Sequence, residues 1–167
     1  MDAPSGLVNL VEPWSHLYSN SKVLPTVVVF VHIAALVFAG GLAVTLDRAT
    51  LRASRGPAEF RWRQLDELAV AHRLVITGLA LSFVTGVLLF TADLETYFTS
   101  WVFWVKMAMI ALLLTNGYVM SRAESRIRLA PNAADDIGWR RLRTTAGTSI
   151  VLWFAIAFMG VALTNIG

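Results

Sequence analysis

Four long apolar stretches constrain the fold of this chain more than any other feature of its sequence. They cover about residues 26–46, 70–92, 101–121 and 145–166. Each has close to the roughly 20 residues that a helix needs to cross a hydrocarbon core of about 30 Å. Charged residues make up 15% of the chain, against roughly 25% in ordinary soluble domains. The sequence therefore predicts an all-α integral membrane protein with four transmembrane helices.

The basic residues predict how these helices are oriented. The chain has 14 lysines and arginines, and all but Lys22 and Lys106 lie around the first and third connections between the apolar stretches. Cytoplasmic loops retain positive charge, so both connections are expected in the cytoplasm and both chain termini outside. We therefore expect an antiparallel four-helix bundle in the cytoplasmic membrane of a prokaryote. The same asymmetry explains the net charge of +3 without nucleic-acid binding.

The chain divides into a short surface segment, residues 1–25, and a transmembrane domain, residues 26–167. Residues 6–20 mix apolar and polar side chains and are too few to span, so they predict a helix or broken helix on the outer membrane surface, with Pro13 starting its second part. Trp62 and Trp139 are expected in the aromatic belt at the cytoplasmic interface. The Gly40-Gly41 pair predicts close helix packing. No cysteine is present, which excludes disulfides and thiolate metal sites.

Three ionisable residues in or near the spans are the candidate functional residues, because such groups are costly inside a bilayer. His32 and Lys106 each lie about five or six residues into their spans, which places both about 8–9 Å below the outer end. His72 lies near the inner end of the second span, about 15 Å away in height, which disfavours a simple His32–His72 pair. The alternatives are a hydrogen-bonded packing role for His32, a lysine that reaches the outer headgroups, and an inner headgroup contact for His72.

Four segments carry a resemblance to a known family. "HIAALVFAGG", "AVAHRLVITGLALSFVTG", "FWVKMAMIALLLTNGYVMSR" and "RRLRTTAGTSIVLWFAIAFMGVAL" resemble, in this order, four helices of the copper-resistance CopD membrane family. The resemblance covers most of the chain after Val27. It implies a four-helix membrane fold and, as one possible activity, copper transport or resistance.

The same helix plan is similar to that of HemJ-type protoporphyrinogen oxidases. In that family a histidine on the first helix and a lysine on the third are implicated in haem b binding, and His32 and Lys106 occupy these places here. The chain differs at two positions, since Phe38 replaces a tryptophan and Arg48 falls about a turn beyond the expected arginine. The resemblance implies that His32, with Lys106 or another group such as His72, binds haem b, and that His32 is the metal ligand.

Three functions remain open from the sequence, and none of them identifies a substrate or establishes an enzyme. The first is haem b binding with a role in membrane redox chemistry or electron transfer. The second is a non-catalytic accessory subunit of a larger respiratory or photosynthetic membrane complex, which the small size and short loops favour. The third is copper handling. The lipid bilayer is the expected partner in each case.

Overall fold

The computed structural model of the protein describes residues 5–129 and 135–166. Residues 1–4, 130–134 and 167 lie outside this part, and with them the start of the predicted surface segment. The described residues form six helices: α1 (Ser5–Asn20), α2 (Val23–Ala53), α3 (Ala58–Ala92), α4 (Leu94–Thr99), α5 (Trp101–Leu129) and α6 (Asp135–Ile166).

Helices α2, α3, α5 and α6 are each long and apolar enough to cross a membrane. They have between 29 and 35 residues, which at about 1.5 Å per residue is more than the ~30 Å of a hydrocarbon core. The prediction of a multi-pass, all-helical membrane protein is confirmed. The helices extend beyond the predicted spans: α2 runs from Val23 to Ala53, α3 begins at Ala58, α5 ends at Leu129 and α6 begins at Asp135.

Large apolar side chains cover the outside of the bundle. Phe30, Phe83, Phe154 and Phe158 each expose about two thirds or more of their surface. A soluble monomer rarely exposes continuous apolar area on this scale. These exposed rings are suited to contact with lipid chains.

Helix α1 is continuous and contains Pro13 in its interior, so the predicted division of this segment at Pro13 is wrong. Its side chains donate hydrogen bonds to carbonyls near the end of α3. The Trp14 Nε1–H donates to the Leu88 carbonyl (3.0 Å), and the Ser15 hydroxyl donates to the Ala92 carbonyl (2.8 Å). The last carbonyls of a helix lack partners within it, so these bonds explain why α1 packs there. We call this end of the bundle the α1 end.

Small residues bring α2 close to its two neighbours. A Cβ placed on Gly78 of α3 would lie 2.9 Å from the Ala39 Cβ, and one on Gly40 would lie 2.9 Å from the Trp153 ring of α6. Both glycines are therefore required by close packing. Gly41 is different, since a Cβ there would meet nothing within 4 Å. The prediction of a packing role holds for Gly40 and is wrong for Gly41.

Helices α3 and α5 approach each other less closely than the other neighbours. Among the described residues, α2 packs along α3 and α6, and α5 packs along α6, whereas α3 and α5 meet through long side chains. Phe90 stacks on Phe103 with ring centroids 5.0 Å apart, and the Arg128 guanidinium bonds Asp66 (3.0 Å) and the Leu65 carbonyl (2.6 Å). The middle of this seam is thus free of tight backbone contact.

Two apolar clusters fill the bundle. The central cluster consists of Ala39, Ala43, Leu113, Trp153 and Ile156. The terminal cluster consists of Leu65, Leu68, Met120, Ala123, Ile127, Trp139, Leu142 and Ala146. The terminal cluster lies towards the end of the bundle where α2 joins α3, which we call the arginine-rich end.

The terminal cluster includes one of the tryptophans predicted for the interfacial belt. Trp139 is 4% exposed and lies 5.6 Å beneath the Arg61 guanidinium carbon. The belt prediction is wrong for Trp139, because a ring that is enclosed in the core cannot mark an interface. Trp62 is 40% exposed, as a belt residue would be.

Candidate functional site

His32 lies on α2 with its ring held against α3. The Nδ1 atom is 3.0 Å from the Ser82 carbonyl oxygen and 3.0 Å from the Thr85 hydroxyl oxygen. A carbonyl only accepts, and the Thr85 hydroxyl donates its own hydrogen to the Leu81 or Ser82 carbonyl (2.8 and 3.1 Å). The Nδ1 atom must therefore carry the ring proton, and Nε2 is left with its lone pair.

A glycine makes room for this ring. A Cβ built on Gly86 of α3 would lie 3.3 Å from the His32 Cε1 atom, which is tighter than most side-chain contacts. Gly86 therefore lets the imidazole approach the α3 backbone closely enough to bond the Ser82 carbonyl. In the described part of the chain Nε2 makes no hydrogen bond.

Lys106 of α5 lies against the neighbouring helix α6. Its Nζ is 3.8 Å from the position of a Cβ on Gly160, which lies about two turns beyond Trp153. Trp153 in turn lies against Gly40 of α2, eight residues from His32. Among the described residues, the three ion pairs lie elsewhere and involve Arg63 and Arg128.

Apolar side chains adjoin the two residues in sequence. Leu36 lies one turn after His32, Met109 and Ile110 lie one turn after Lys106, and all three pack against the central cluster. A nitrogen lone pair beside apolar side chains is less well hydrated than one on a polar surface. The His32 imidazole is thus a candidate ligand for a metal or a metal-bearing cofactor.

His72 does not join this site. Its Nε2 is 3.2 Å from the Ser121 hydroxyl of α5, in the seam between α3 and α5. Along α3 it lies ten residues from Ser82, or about 15 Å. Among the described residues, no three side chains of His, Asp or Glu converge as a metal site would require.

The polar group that the sequence reasoning missed is Asp47. It is 3% exposed, and its Oδ2 oxygen has no hydrogen-bond partner in the described part of the chain. Ser149 of α6 places its hydroxyl beside this carboxyl. The spacing of Asp47 from Ala39 and Ala43, eight and four residues respectively, is the sequence signal that places it on the buried stripe of α2.

Other polar side chains lie near Asp47, and we call the group the polar layer. Its members are Asp47, Thr50, Gln64, Asn116 and Ser149. The Gln64 Nε2 donates to the Thr50 hydroxyl oxygen (3.1 Å) and, at 3.4 Å, to the Leu46 carbonyl. The Asn116 Nδ2 donates to the Thr145 carbonyl (2.9 Å). All four long helices therefore contribute to it.

A cavity of about 330 Å³ opens at the α1 end, between α1, the end of α3 and α4. Acidic side chains line it, namely Glu12, Asp93 and Glu95, together with His16. His16 bonds the Asn20 amide of its own helix. The cavity is separate from His32, which lies further along the bundle.

A scan against protein-family models, a search of curated proteins and a search of solved structures each returned no match for this chain. The similarity to the CopD and HemJ families therefore stays a prediction from the residues quoted above. The chemistry of the His32 site has to be argued from its own geometry.

Proposed function

We propose that this protein binds haem b inside the membrane through His32 and takes part in membrane electron transfer. The orientation of the imidazole carries the proposal. Nδ1–H is committed to α3, so the lone pair of Nε2 is free to bind a ligand. Histidines that bind metals almost always donate the other ring N–H to a carbonyl or carboxylate, and this bond fixes the tautomer and raises ligand basicity.

Two features support haem as the ligand of His32. The imidazole is a usual ligand of haem iron and lies among apolar side chains, and a bound haem would supply a one-electron couple. Among the described residues, α3 and α5 make few backbone contacts, so a cofactor held by His32 could lie between them without separating tightly packed helices. Lys106 would offer a second nitrogen or a positive charge to the bound group.

The orientation of the protein is part of the same proposal. With the arginine-rich end in the cytoplasm, the four long helices run antiparallel in the cytoplasmic membrane of a prokaryote, and both termini face outwards. His32 and Lys106 then lie in the outer half of the bilayer. Electrons would enter or leave this site from the outer side.

The test is the optical spectrum of the full chain, purified in mild detergent from cells supplied with a haem precursor. We expect a Soret band, reduced-minus-oxidised bands of a b-type haem, and about one haem per chain by the pyridine haemochrome assay. A well-folded, monodisperse preparation that stays colourless after incubation with haemin would refute haem binding. Circular dichroism establishes folding independently of colour.

A further inference from the structure

The polar layer lies on the arginine-rich side of the central cluster, beside the terminal cluster. On α2, Asp47 follows Ala43 of the central cluster, and on α6, Ser149 lies between Ala146 and Trp153. On α5, Asn116 separates Leu113 of the central cluster from Met120 of the terminal cluster. The layer is therefore distinct from the His32 site, which lies beyond the central cluster.

Asp47 is the acid of this layer, and it is incompletely satisfied. Ser149 offers one hydroxyl, and the Thr50 hydroxyl accepts a bond from Gln64. The Oδ2 oxygen has no partner although Asp47 is 3% exposed. A buried ionised carboxylate without a cation or donors is strongly disfavoured, so the site calls for a positive ligand.

The charged groups of the helices packed around α2 do not fill this role. On α3, His72 bonds Ser121, and Arg61 lies over Trp139 and donates to the Ser54 carbonyl (3.3 Å). On α6, the three arginines lie around Leu142 of the terminal cluster, at positions 140, 141 and 143. The residue of α6 beside Asp47 is Ser149. None of the ion pairs within the described residues involves Asp47.

The ligand chemistry that fits is a proton rather than a metal cation. Na⁺ sites inside membrane proteins use carbonyls that unwound helices expose. Here α2 is helical from Val23 to Ala53 and α3 from Ala58 to Ala92, so their carbonyls are engaged in helical bonds. A proton needs one oxygen, and a protonated carboxyl can then donate to a hydroxyl or to a buried water.

We propose that Asp47 is the proton-binding residue of the polar layer and exchanges its proton with the arginine-rich end of the bundle. The distances favour this end, since Asp47 lies about 9 Å of helix from Ala53 and about 36 Å from Val23. Thr50 and Gln64 continue the polar groups in that direction, alongside the terminal cluster. Carboxyl groups inside helical membrane proteins are a recurring means of proton transfer.

Infrared spectroscopy of the full chain, reconstituted in lipid vesicles at neutral pH, tests this proposal. The wild type is expected to show the C=O stretch of a protonated carboxyl, shifted downwards in D₂O, and Asp47→Asn is expected to remove it. The matched control is Asp66→Asn, because Asp66 is 76% exposed and pairs with Arg128. This control should leave the band unchanged.

Ser149→Ala provides a second variant, which keeps Asp47 and removes its hydroxyl neighbour. The band should persist but move in frequency, because the carboxyl loses a partner. Three results would overturn the proposal: a band absent from the wild type, a band that does not shift in D₂O, or a band lost at constant pH when Na⁺ replaces choline. The last result would assign the layer to a metal cation instead.

Discussion

The bundle contains two buried polar sites that differ in how completely their atoms are bonded. At the His32 site, Nδ1 is fixed by the Ser82 carbonyl and the Thr85 hydroxyl, and the ring is oriented by Gly86. In the polar layer, Asp47 keeps an oxygen without a partner. A fixed ring with a free lone pair suits the lasting binding of a ligand. A carboxyl with an unpartnered oxygen suits the reversible binding of a proton. The central cluster keeps the two apart.

The largest expected effect is the loss of haem on removal of the His32 imidazole. His32→Ala should abolish haem binding, because the walls around it offer no other imidazole. His72→Ala is the matched control, since its ring faces Ser121 at a different height, and it should retain the full haem content. Haem per chain, measured on both variants at equal folded protein, decides the assignment. Equal loss of haem in the two variants would contradict the assignment of His32 as the ligand.

Filling the space beside the ring should have the next largest effect. Gly86→Val would push the His32 ring from α3, since even a Cβ would lie 3.3 Å from Cε1. Loss of such an orienting contact typically costs about 10–100-fold in affinity, and we expect haem affinity to fall within this range. Gly41→Val is the control, because a Cβ there meets nothing within 4 Å. The infrared band assigned to Asp47 should be unchanged, and a loss of it would show that the two sites are coupled.

Removal of the carboxyl from the polar layer should affect stability moderately and leave the haem in place. Asp47→Leu replaces a buried, partly unsatisfied carboxyl with an apolar group of similar size. Such replacements range from neutral to stabilising by about 1–3 kcal/mol. Thermal unfolding in detergent, followed by circular dichroism, measures the change. A large loss of stability would mean that Asp47 is bonded more completely than its geometry shows.

The smallest expected effect concerns the second acceptor of the His32 ring. Thr85→Val removes the hydroxyl near Nδ1 and leaves the Ser82 carbonyl in place. Loss of one hydrogen bond of about 1 kcal/mol corresponds to a several-fold weaker haem affinity. Potentiometric titration should also show a shifted reduction potential, because the basicity of the ligand changes. Thr91→Val, an exposed threonine of the same helix, is the control.

The sequence was informative about the four helices because an apolar run of this length has few alternatives. It was less informative about where they end. Residues 47–53 and 122–129 are charged, yet they remain helical because the terminal cluster gives them an apolar face to bury. The prediction of spans rested on hydropathy, and hydropathy does not register a helix that continues beyond the membrane core.

The candidate functional residues, too, could be predicted from the sequence only in part. Counting residues from the start of each span predicts that His32 and Lys106 lie at one height, and their pairing at one site stays a prediction. The partners of the ring, Ser82, Thr85 and Gly86, depend on which faces of α2 and α3 meet, and no pattern along one chain determines this. Hydropathy along the chain does not indicate that Asp47 is buried, because its burial depends on α6, which places Ser149 beside it.

The most direct test of the account is chemical rescue of the ligand. His32→Gly, prepared with haemin and free imidazole, should regain the b-type spectrum of the wild type, because the added imidazole occupies the space of the missing ring. The same variant without imidazole should have no haem, and His72→Gly should not respond to imidazole. A haem spectrum in His32→Gly that is independent of imidazole, or a wild type that binds no haem, would contradict the central claim that His32 is the axial ligand.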